Sequence, residues 1–279
     1  MEERIIQFIK STVNQHGYKG VIIGISGGID SAVVAALCVK ALGKEKVYGI
    51  LLPERDSAGD TVRDAKLICK KLGIKYDIIS ISPVLKDMGI YSMEHNFYFI
   101  PRKIKQRVVM SKWKNLSKTN AYLEDLYNKG SDKFLRGISY YRVKHRVRMC
   151  YLYMEGEKRG YAVMGTTNKT EYLTGFYVKW GDDAVDIEPL LHLYKSQVFQ
   201  LAKKINIPEK IISKPPSPDL IPGITDEYAL GISYEELDRI LEKIENRRSL
   251  LGEDKDNIKR VKDLMMAGKN RDIRMLSIK

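Results

Sequence analysis

Apolar positions along the first 82 residues switch repeatedly between helical and strand spacing. Ile5, Ile9 and Val13 recur at the interval of an amphipathic helix, whereas residues 21–24 form a short apolar run before a glycine-rich turn. The order predicts helices at 1–15, 32–42 and 61–72 and strands at 21–24, 46–52 and 76–81. Strands and helices that alternate at this interval indicate a doubly wound α/β fold, with a parallel sheet and flanking helices.

The alternation stops at about Pro83 and resumes near Ser139. The intervening stretch is polar, with weak helical patches at 103–113 and 121–128, and we interpret about 86–137 as a basic, partly helical insertion. A helix at 141–158, a strand at 161–165 and helices at 193–205, 208–214, 234–247 and 254–267 are expected downstream. We therefore predict one domain over 1–279 that carries this insertion and a helical C-terminal tail at 233–279.

Composition and charge place the chain among globular proteins. It has 279 residues, 44% of them hydrophobic, and it lacks the roughly 18–20-residue apolar run of a membrane span and the apolar stretch of a signal peptide. Its three cysteines do not form a CxxC pair, which favours an intracellular, cytoplasmic protein. The net charge is +13, and the segment from Pro101 to Met149 contains fourteen Lys and Arg against three acids. A local excess of positive charge of this size either faces an anionic partner or is solvated.

The turn after the first strand carries the strongest chemical signal. Gly27 and Gly28 allow the backbone to wrap a phosphate at the start of a helix, where unpaired N–H groups favour an anion. Asp30 would repel phosphate unless a divalent cation such as Mg²⁺ lay between them. A Walker-type loop would need a lysine here, and the spacing does not fit GxGxxG. The predicted ATP-binding loop comprises Gly24, Ile25, Ser26, Gly27, Gly28, Ile29, Asp30 and Ser31.

The segment Ser26–Ser31 resembles the pyrophosphate loop of the ATP pyrophosphatases, which have an adenine nucleotide alpha hydrolase-like fold. These enzymes adenylate an oxygen, expel pyrophosphate and then let a nucleophile displace AMP. The motifs that follow resemble the ammonia-dependent form of NAD synthetase, over about residues 1–82 and 138–245. In chain order they are residues 165–171, 175–182, 186–190, 194–198, 214–220 and 225–231.

The resemblance implies a role for residues that match these motifs. It implies Mg²⁺ ligands at Asp30 and Glu171, ATP contacts at Thr166, Lys195 and Ser217, and deamido-NAD contacts at Arg146, Lys179, Asp186 and Lys269. Arg146 would contact deamido-NAD that is bound to the other subunit of a homodimer. The residues expected to take part in catalysis are Asp30, Lys195 and Asp182, the last by deprotonating ammonium.

The implied reaction is the ATP-dependent amidation of deamido-NAD to NAD, with ATP as co-substrate and ammonia as nitrogen donor. The sequence leaves open whether ammonia comes from solution or from a separate glutaminase subunit. One alternative is another ATP pyrophosphatase that adenylates a different carboxylate or a tRNA base. A second is an ATP-binding sensor without turnover, against which the retention of both Asp30 and Glu171 argues.

Three features depart from the family pattern. Arg142 stands where the family usually has Asn, the 86–137 insertion is longer than expected, and Gly268-Lys269 stands where the family often has a His-Lys pair. All three fall where the dinucleotide is expected to bind, so the ATP half of the interpretation has the stronger support. For the insertion, the downstream motifs favour a solvated lid or an electrostatic funnel over a nucleic-acid surface, although aromatic residues alternate with basic ones there.

Overall fold

The computed structural model describes residues 1–57, 59–93, 121–217 and 225–273. The predicted helical patch at 103–113, most of the insertion and the last six residues of the predicted C-terminal tail lie outside these ranges. Within them, no helix is long and apolar enough to cross a membrane.

A parallel sheet forms the centre of the described structure. Its four strands lie in the order β3-β2-β1-β4. The strands are β1 (Gly20–Gly24), β2 (Val47–Leu51), β3 (Lys75–Ile78) and β4 (Tyr161–Met164). In the described ranges each strand falls where its apolar run predicted it, which confirms the α/β class. The helices are α1 (Glu2–Gln15), α2 (Ile29–Leu42), α3 (Gly59–Leu72), α4 (Ser82–Asp87), α5 (Ala121–Leu126), α6 (Asp132–Arg159), α7 (Lys169–Thr174), α8 (Lys195–Lys204), α9 (Glu209–Ile212), α10 (Asp226–Leu230), α11 (Tyr234–Glu245) and α12 (Lys255–Gly268).

Helices cover both faces of the sheet. On one face α1, α2 and α8 pack around Val21 and Ile23, and on the other α4 and α6 pack around Ile22 and Val163. The alternation of side chains along β1 explains the division, since successive residues of a strand point to opposite faces. A third apolar cluster joins α5, α11 and α12. The sheet is therefore buried on both sides, as parallel sheets require.

The helix predicted at 141–158 is longer than expected, because α6 begins at Asp132. The hydroxyl of Ser131 caps it by accepting a hydrogen bond from the N–H of Phe134. The side chains of Phe134 and Tyr140 are buried, so tertiary packing stabilises the early turns. The end of the partly helical insertion therefore overlaps α6, and its predicted limit at about 137 stays a prediction.

Much of the positive charge at 142–148 is neutralised inside the protein. Lys144 is fully buried, and its Nζ lies 3.0 Å from Glu54 Oε1 and 3.1 Å from Asp56 Oδ2 at the end of β2. Burial alone would raise the pKa of Asp56, but the Lys144 ammonium holds that pKa down, at about 2. Arg148 Nε donates to the carbonyl of Leu52 at 3.0 Å. This part of α6 thus anchors the helix to the sheet.

The strand order places one crevice in the sheet. β1 pairs with β2 on one side and with β4 on the other, and Ile23 is in register with Met164. The chain after β1 leads to β2 on one side, whereas β4 lies on the other side, so the strand order reverses between β1 and β4. In open α/β sheets, ligands bind at such a point, outside the carboxyl ends of the strands.

Candidate active site

A cavity of about 740 Å³ opens at the carboxyl ends of β1 and β4. It is lined by the Gly24–Ser31 loop, the 165–167 loop, the first residue of α8, α5, α6 and the chain around Phe176. Most of the predicted ATP-binding residues border this cavity, namely Gly24, Ile25, Ser26, Gly28, Ile29, Asp30, Ser31, Thr166, Lys195 and Ser217. The structure therefore brings these residues together around one cavity, and their contacts with ATP stay predictions.

The glycine-rich loop is held in shape by its own hydroxyls. Ser26 Oγ accepts a hydrogen bond from the N–H of Gly28 at 3.2 Å, and Ser31 Oγ donates to the carbonyl of Gly28 at 3.1 Å. Gly27 has φ of +75°, and a Cβ there would lie 2.7 Å from the carbonyl oxygen of Thr61. Helix α2 starts directly after this turn without a side-chain cap. Its first N–H groups thus remain available to an anion.

Lys195 joins the two predicted metal ligands. Its Nζ lies 2.6 Å from Asp30 Oδ2 and 3.3 Å from Glu171 Oε1, and its side chain is 2% exposed. Burial alone would lower the pKa of Lys195, but the two carboxylates hold that pKa above its ordinary value. Residues from α2, α7 and α8 therefore meet beside the Gly24–Ser31 loop. Lys195 was expected to face the triphosphate; its ammonium contacts these carboxylates.

Asn168 fixes the relative position of these carboxylates. Its side chain donates to Asp30 Oδ1 at 3.1 Å and accepts from the N–H of Glu171 at 3.0 Å. Glu171 Oε2 in turn accepts from the N–H of Asn168 at 3.1 Å, which completes a capping box at the start of α7. Sequence reasoning assigned no role to Asn168, although the Asn-x-x-Glu spacing carries the signal of this cap.

Asp226 is a third carboxylate that lines the cavity and interacts with Lys195, and sequence reasoning assigned it no role. It is 5% exposed, and it accepts a hydrogen bond from the Tyr234 hydroxyl at 2.9 Å. Its Oδ1 has no hydrogen-bond partner among the described residues. Burial raises the pKa of Asp226 to about 6, with the charge of Lys195 opposing and that of Asp30 adding to the rise.

The site thus carries more negative than positive charge. Asp30, Glu171 and Asp226 all interact with the one ammonium of Lys195. Burial raises the pKa of Glu171, and the neighbouring carboxylates of Asp30 and Asp226 raise it further against the effect of Lys195. This excess and the orphaned Asp226 oxygen suit a hard divalent cation. No group of three or more metal-binding side chains is preformed within the described ranges, in keeping with a Mg²⁺ that takes its remaining ligands from phosphates and water.

The carboxyl group of Glu188 supports the loop after β4. Its Oε2 accepts the N–H of Thr167 at 3.1 Å, and a Cβ on Gly165 would lie 2.2 Å from its carboxyl group. A Cβ at this position would therefore displace the Glu188 carboxyl group. Burial raises the pKa of Glu188 to about 9, and the charge of Glu171 contributes to the rise. The carboxyl positions the backbone on either side of Thr166, a predicted ATP contact.

Asp182 lines the cavity and is 41% exposed. It accepts the N–H of Val178 at 2.7 Å, and its Oδ1 lies 3.4 Å from His145 Nδ1. Burial alone would raise the pKa of Asp182, but the His145 ring and the Val178 N–H hold it below its ordinary value. The carboxylate is thus ready to accept hydrogen bonds from ammonium but is a weak base. Its role in deprotonation stays a prediction.

The four predicted deamido-NAD contacts do not line this cavity within one chain. Asp186 accepts from Tyr153 and from the N–H of Val163, while Arg146 donates to the carbonyl of Lys179. Lys179 lies against the Trp180 ring, and Lys269 is exposed at the end of α12. Their contacts with a substrate stay predictions. Instead, the cavity is lined by Arg142, Asp125 and Arg271, of which only Arg142 stood out in the sequence.

Comparison with known proteins agrees with this geometry. The chain matches the sequence model of the NAD synthase family over residues 1–124 and 102–271. The chain belongs to the NAD synthase family. It is 56% identical, over 95% of its length and 94% of the relative's, to the NH(3)-dependent NAD(+) synthetase of Thermotoga maritima. The match spans the departures noted above, so family membership extends beyond the ATP half.

Solved structures of this family have the same architecture. An NH3-dependent NAD synthetase from Campylobacter jejuni superposes with a TM-score of 0.72 at 28% identity, covering 100% of this chain and 97% of its own. An NMN synthetase from Francisella tularensis gives 0.74 at 25% identity, covering 99% and 96%. The fold at the sheet crevice is therefore that of enzymes that form a carbon–nitrogen bond in an amide.

Proposed function

We propose that this protein is an NH3-dependent NAD synthetase that converts deamido-NAD, ATP and ammonia to NAD, AMP and pyrophosphate. One observation carries the proposal. Asp30 and Glu171, far apart in the chain, both pair with Lys195 beside the Gly24–Ser31 loop. Family membership and the 56% identical Thermotoga maritima relative support the choice of reaction.

The ATP phosphates bind at the start of α2, where backbone N–H groups stabilise their charge. Asp30 and Glu171 are the residues that would hold Mg²⁺, which supplies charge neutralisation for the phosphates when bound. Lys195, placed between these carboxylates, stabilises negative charge that develops on the departing pyrophosphate. Thr166 and Ser217, which also line the cavity, contact the nucleotide.

Adenylation joins one oxygen of the nicotinate carboxylate to the α-phosphorus and breaks the bond from that phosphorus to the oxygen of the β-phosphate. Ammonia then attacks the activated carbonyl carbon, the amide forms, and AMP leaves with the original carboxylate oxygen. Asp182 binds the incoming ammonium and passes one of its protons on to solvent, because its lowered pKa keeps the carboxylate ionised. A homodimer, in which Arg146 of one protomer reaches the substrate of the other, forms part of the proposal.

Product formation tests the proposal. The purified protein is incubated with deamido-NAD, MgATP and ammonium chloride, and NAD and AMP are followed by chromatography; both should form in equal amounts. Exchange of labelled pyrophosphate into ATP should require deamido-NAD but not ammonium, because adenylation precedes amidation. Folded protein that forms neither product would overturn the proposal.

A matched pair of variants ties the activity to the site. Asp30→Asn keeps the shape but loses a charge, and should lower kcat by about 100-fold or more. Asp256→Asn makes the same change on the exposed first turn of α12 and should leave kcat unchanged. Equal activities of the two variants would contradict the role of Asp30.

The likeness to an NMN synthetase supports one second candidate, amidation of nicotinate mononucleotide. Both acids present the same nicotinate carboxylate, so the ATP half of the site does not distinguish them. Comparing kcat/KM for the two acids under identical conditions decides between them, and we expect the larger value for deamido-NAD. A larger value for the mononucleotide would transfer the proposal to that reaction.

A further inference from the structure

Two arginines that line the cavity share one carboxylate. Arg142 on α6 donates through Nη2 to Asp125 Oδ1 and, at 3.3 Å, to the Asp125 carbonyl. Arg271, just after α12, donates through Nη2 to the other oxygen, Asp125 Oδ2. All three side chains line the cavity. We call Arg142 and Arg271 the arginine pair.

The arginine pair has more positive charge than Asp125 can neutralise. Its side chains are largely withdrawn from water, with 17% of Arg142 and 9% of Arg271 exposed. Nε of Arg271 has no hydrogen-bond partner among the described residues. Burial lowers the pKa of Arg142 to about 10, and the charges of Arg271 and Arg146 lower it further while Asp125 opposes them.

A buried donor without a partner and an uncompensated guanidinium both cost free energy, so the described residues leave the arginine pair short of one anion. Guanidinium groups present planar, forked donors that match phosphate oxygens. The reacting carboxylate is a poor occupant, because it must reach the α-phosphorus at the Gly24–Ser31 loop. An arginine contact would also reduce the nucleophilicity of that carboxylate. A phosphate that takes no part in the reaction need not reach the loop, and its nucleophilicity does not matter, so it suits the arginine pair.

We propose that Arg142 and Arg271 bind the phosphate attached to the nicotinate riboside half of deamido-NAD. The inference rests on the proposed function and assigns the substrate's orientation, with its carboxylate toward Lys195 and its phosphate toward α6. Tyr122 and Phe176, whose rings lie edge to face at 5.3 Å, form apolar surface beside the arginine pair. Asp125 orients both guanidiniums and acts as a positioning residue.

Two ligands that differ by one phosphate test the assignment on the unaltered protein. Binding of nicotinate mononucleotide and of nicotinate riboside is measured by calorimetry, with the α,β-methylene analogue of ATP and Mg²⁺ present. A charge-assisted contact predicts at least about tenfold tighter binding of the mononucleotide. A mononucleotide that binds no more tightly than the riboside overturns the inference.

Arg142→Gln tests the residue itself. Asp125 keeps its ion pair with Arg271 in this variant, so its negative charge is still neutralised by one guanidinium. We expect the mononucleotide to lose its advantage over the riboside, the KM for deamido-NAD to rise about tenfold or more, and the KM for ATP to stay unchanged. Arg136→Gln, on an exposed position of the same helix, is the matched control and should alter neither KM.

The outcomes separate this inference from the proposed function. If the unaltered protein forms no NAD from deamido-NAD, the proposed function fails. If it forms NAD while Arg142→Gln and Arg136→Gln have the same KM for deamido-NAD, only the arginine assignment fails. An equal rise in the KM for ATP in Arg142→Gln would show a general disturbance of the cavity and would also overturn the assignment.

Discussion

Replacement of Lys195 by Met removes the one ammonium that compensates the carboxylates beside the Gly24–Ser31 loop. The side chain is 2% exposed, and Met fills much of the same volume, so the main change is the loss of charge. Asp30 and Glu171 then remain buried with no cation in place. Breaking a buried ion pair in this way costs about 3–5 kcal/mol, which corresponds to a fall in Tm of roughly 6–20 °C.

The size of this effect depends on pH in a defined direction. The raised pKa of Lys195 means that its stabilisation is fully present below its unfolded pKa, and so throughout pH 5–8. In Lys195→Met the pKa of Glu171 rises further because the ammonium that lowers it is gone, and protonation of Glu171 at low pH relieves its repulsion with Asp30. The difference in Tm from the unaltered protein should therefore shrink between pH 8 and pH 5.

Thermal unfolding at several pH values measures the stability, and AMP formation measures the activity. Because Lys195 also stabilises charge on the pyrophosphate, the variant should lose about 100-fold or more in kcat. Lys204→Met provides the control, since Lys204 on the same helix is 68% exposed and pairs only at the surface with Glu2, at 3.5 Å. A pair of this kind contributes about 1 kcal/mol or less. Equal Tm and equal kcat for the two variants would refute the reasoning.

Three further changes have defined outcomes. Gly27→Ala should abolish saturable ATP binding in calorimetry, because its φ is +75° and its Cβ would meet the carbonyl of Thr61; retained affinity would contradict the loop geometry. Glu188→Gln should gain stability relative to the unaltered protein as pH rises from 5 to 9 in chemical denaturation, because the raised pKa of Glu188 makes its stabilisation disappear over that range; a constant difference would count against this. Lys144→Met should cost about 3–5 kcal/mol in urea unfolding because it leaves Glu54 without its buried partner, and a loss below about 1 kcal/mol would show that this pair is dispensable.

Strands β1, β2 and β4 could be predicted from the sequence because each is a short, mostly apolar run that is buried in the sheet, whereas β3 contains Lys75 and Asp77 and lies half-exposed at its edge. The loop after β1 could be predicted because two adjacent glycines, Gly27 and Gly28, at a strand-to-helix turn are typical of a backbone that wraps a phosphate. The early start of α6 was missed because its first turns are stabilised by buried Phe134 and Tyr140, which is a tertiary effect. Its Ser131 cap was the one local signal available.

The ion pairs at the site could not be predicted from the sequence. Lys195 meets Asp30 only because β4 pairs with β1 and brings α7 and α8 against the start of α2. Asp226 looked like an ordinary residue in the first turn of a helix. Arg142 stood out only as a departure from the family, and its contact with Asp125 depends on the packing of α5 against α6. Long-range contacts of this kind have no signature in a local pattern.

The fate of one oxygen atom tests the central claim most directly. Deamido-NAD labelled with ¹⁸O in its nicotinate carboxylate is converted with MgATP and ammonium, and the AMP is examined by mass spectrometry. If the carboxylate attacks the α-phosphorus at the Gly24–Ser31 loop, each AMP carries one oxygen from the labelled carboxylate. Unlabelled AMP, with the ¹⁸O found in pyrophosphate or water, would contradict adenylation at this site.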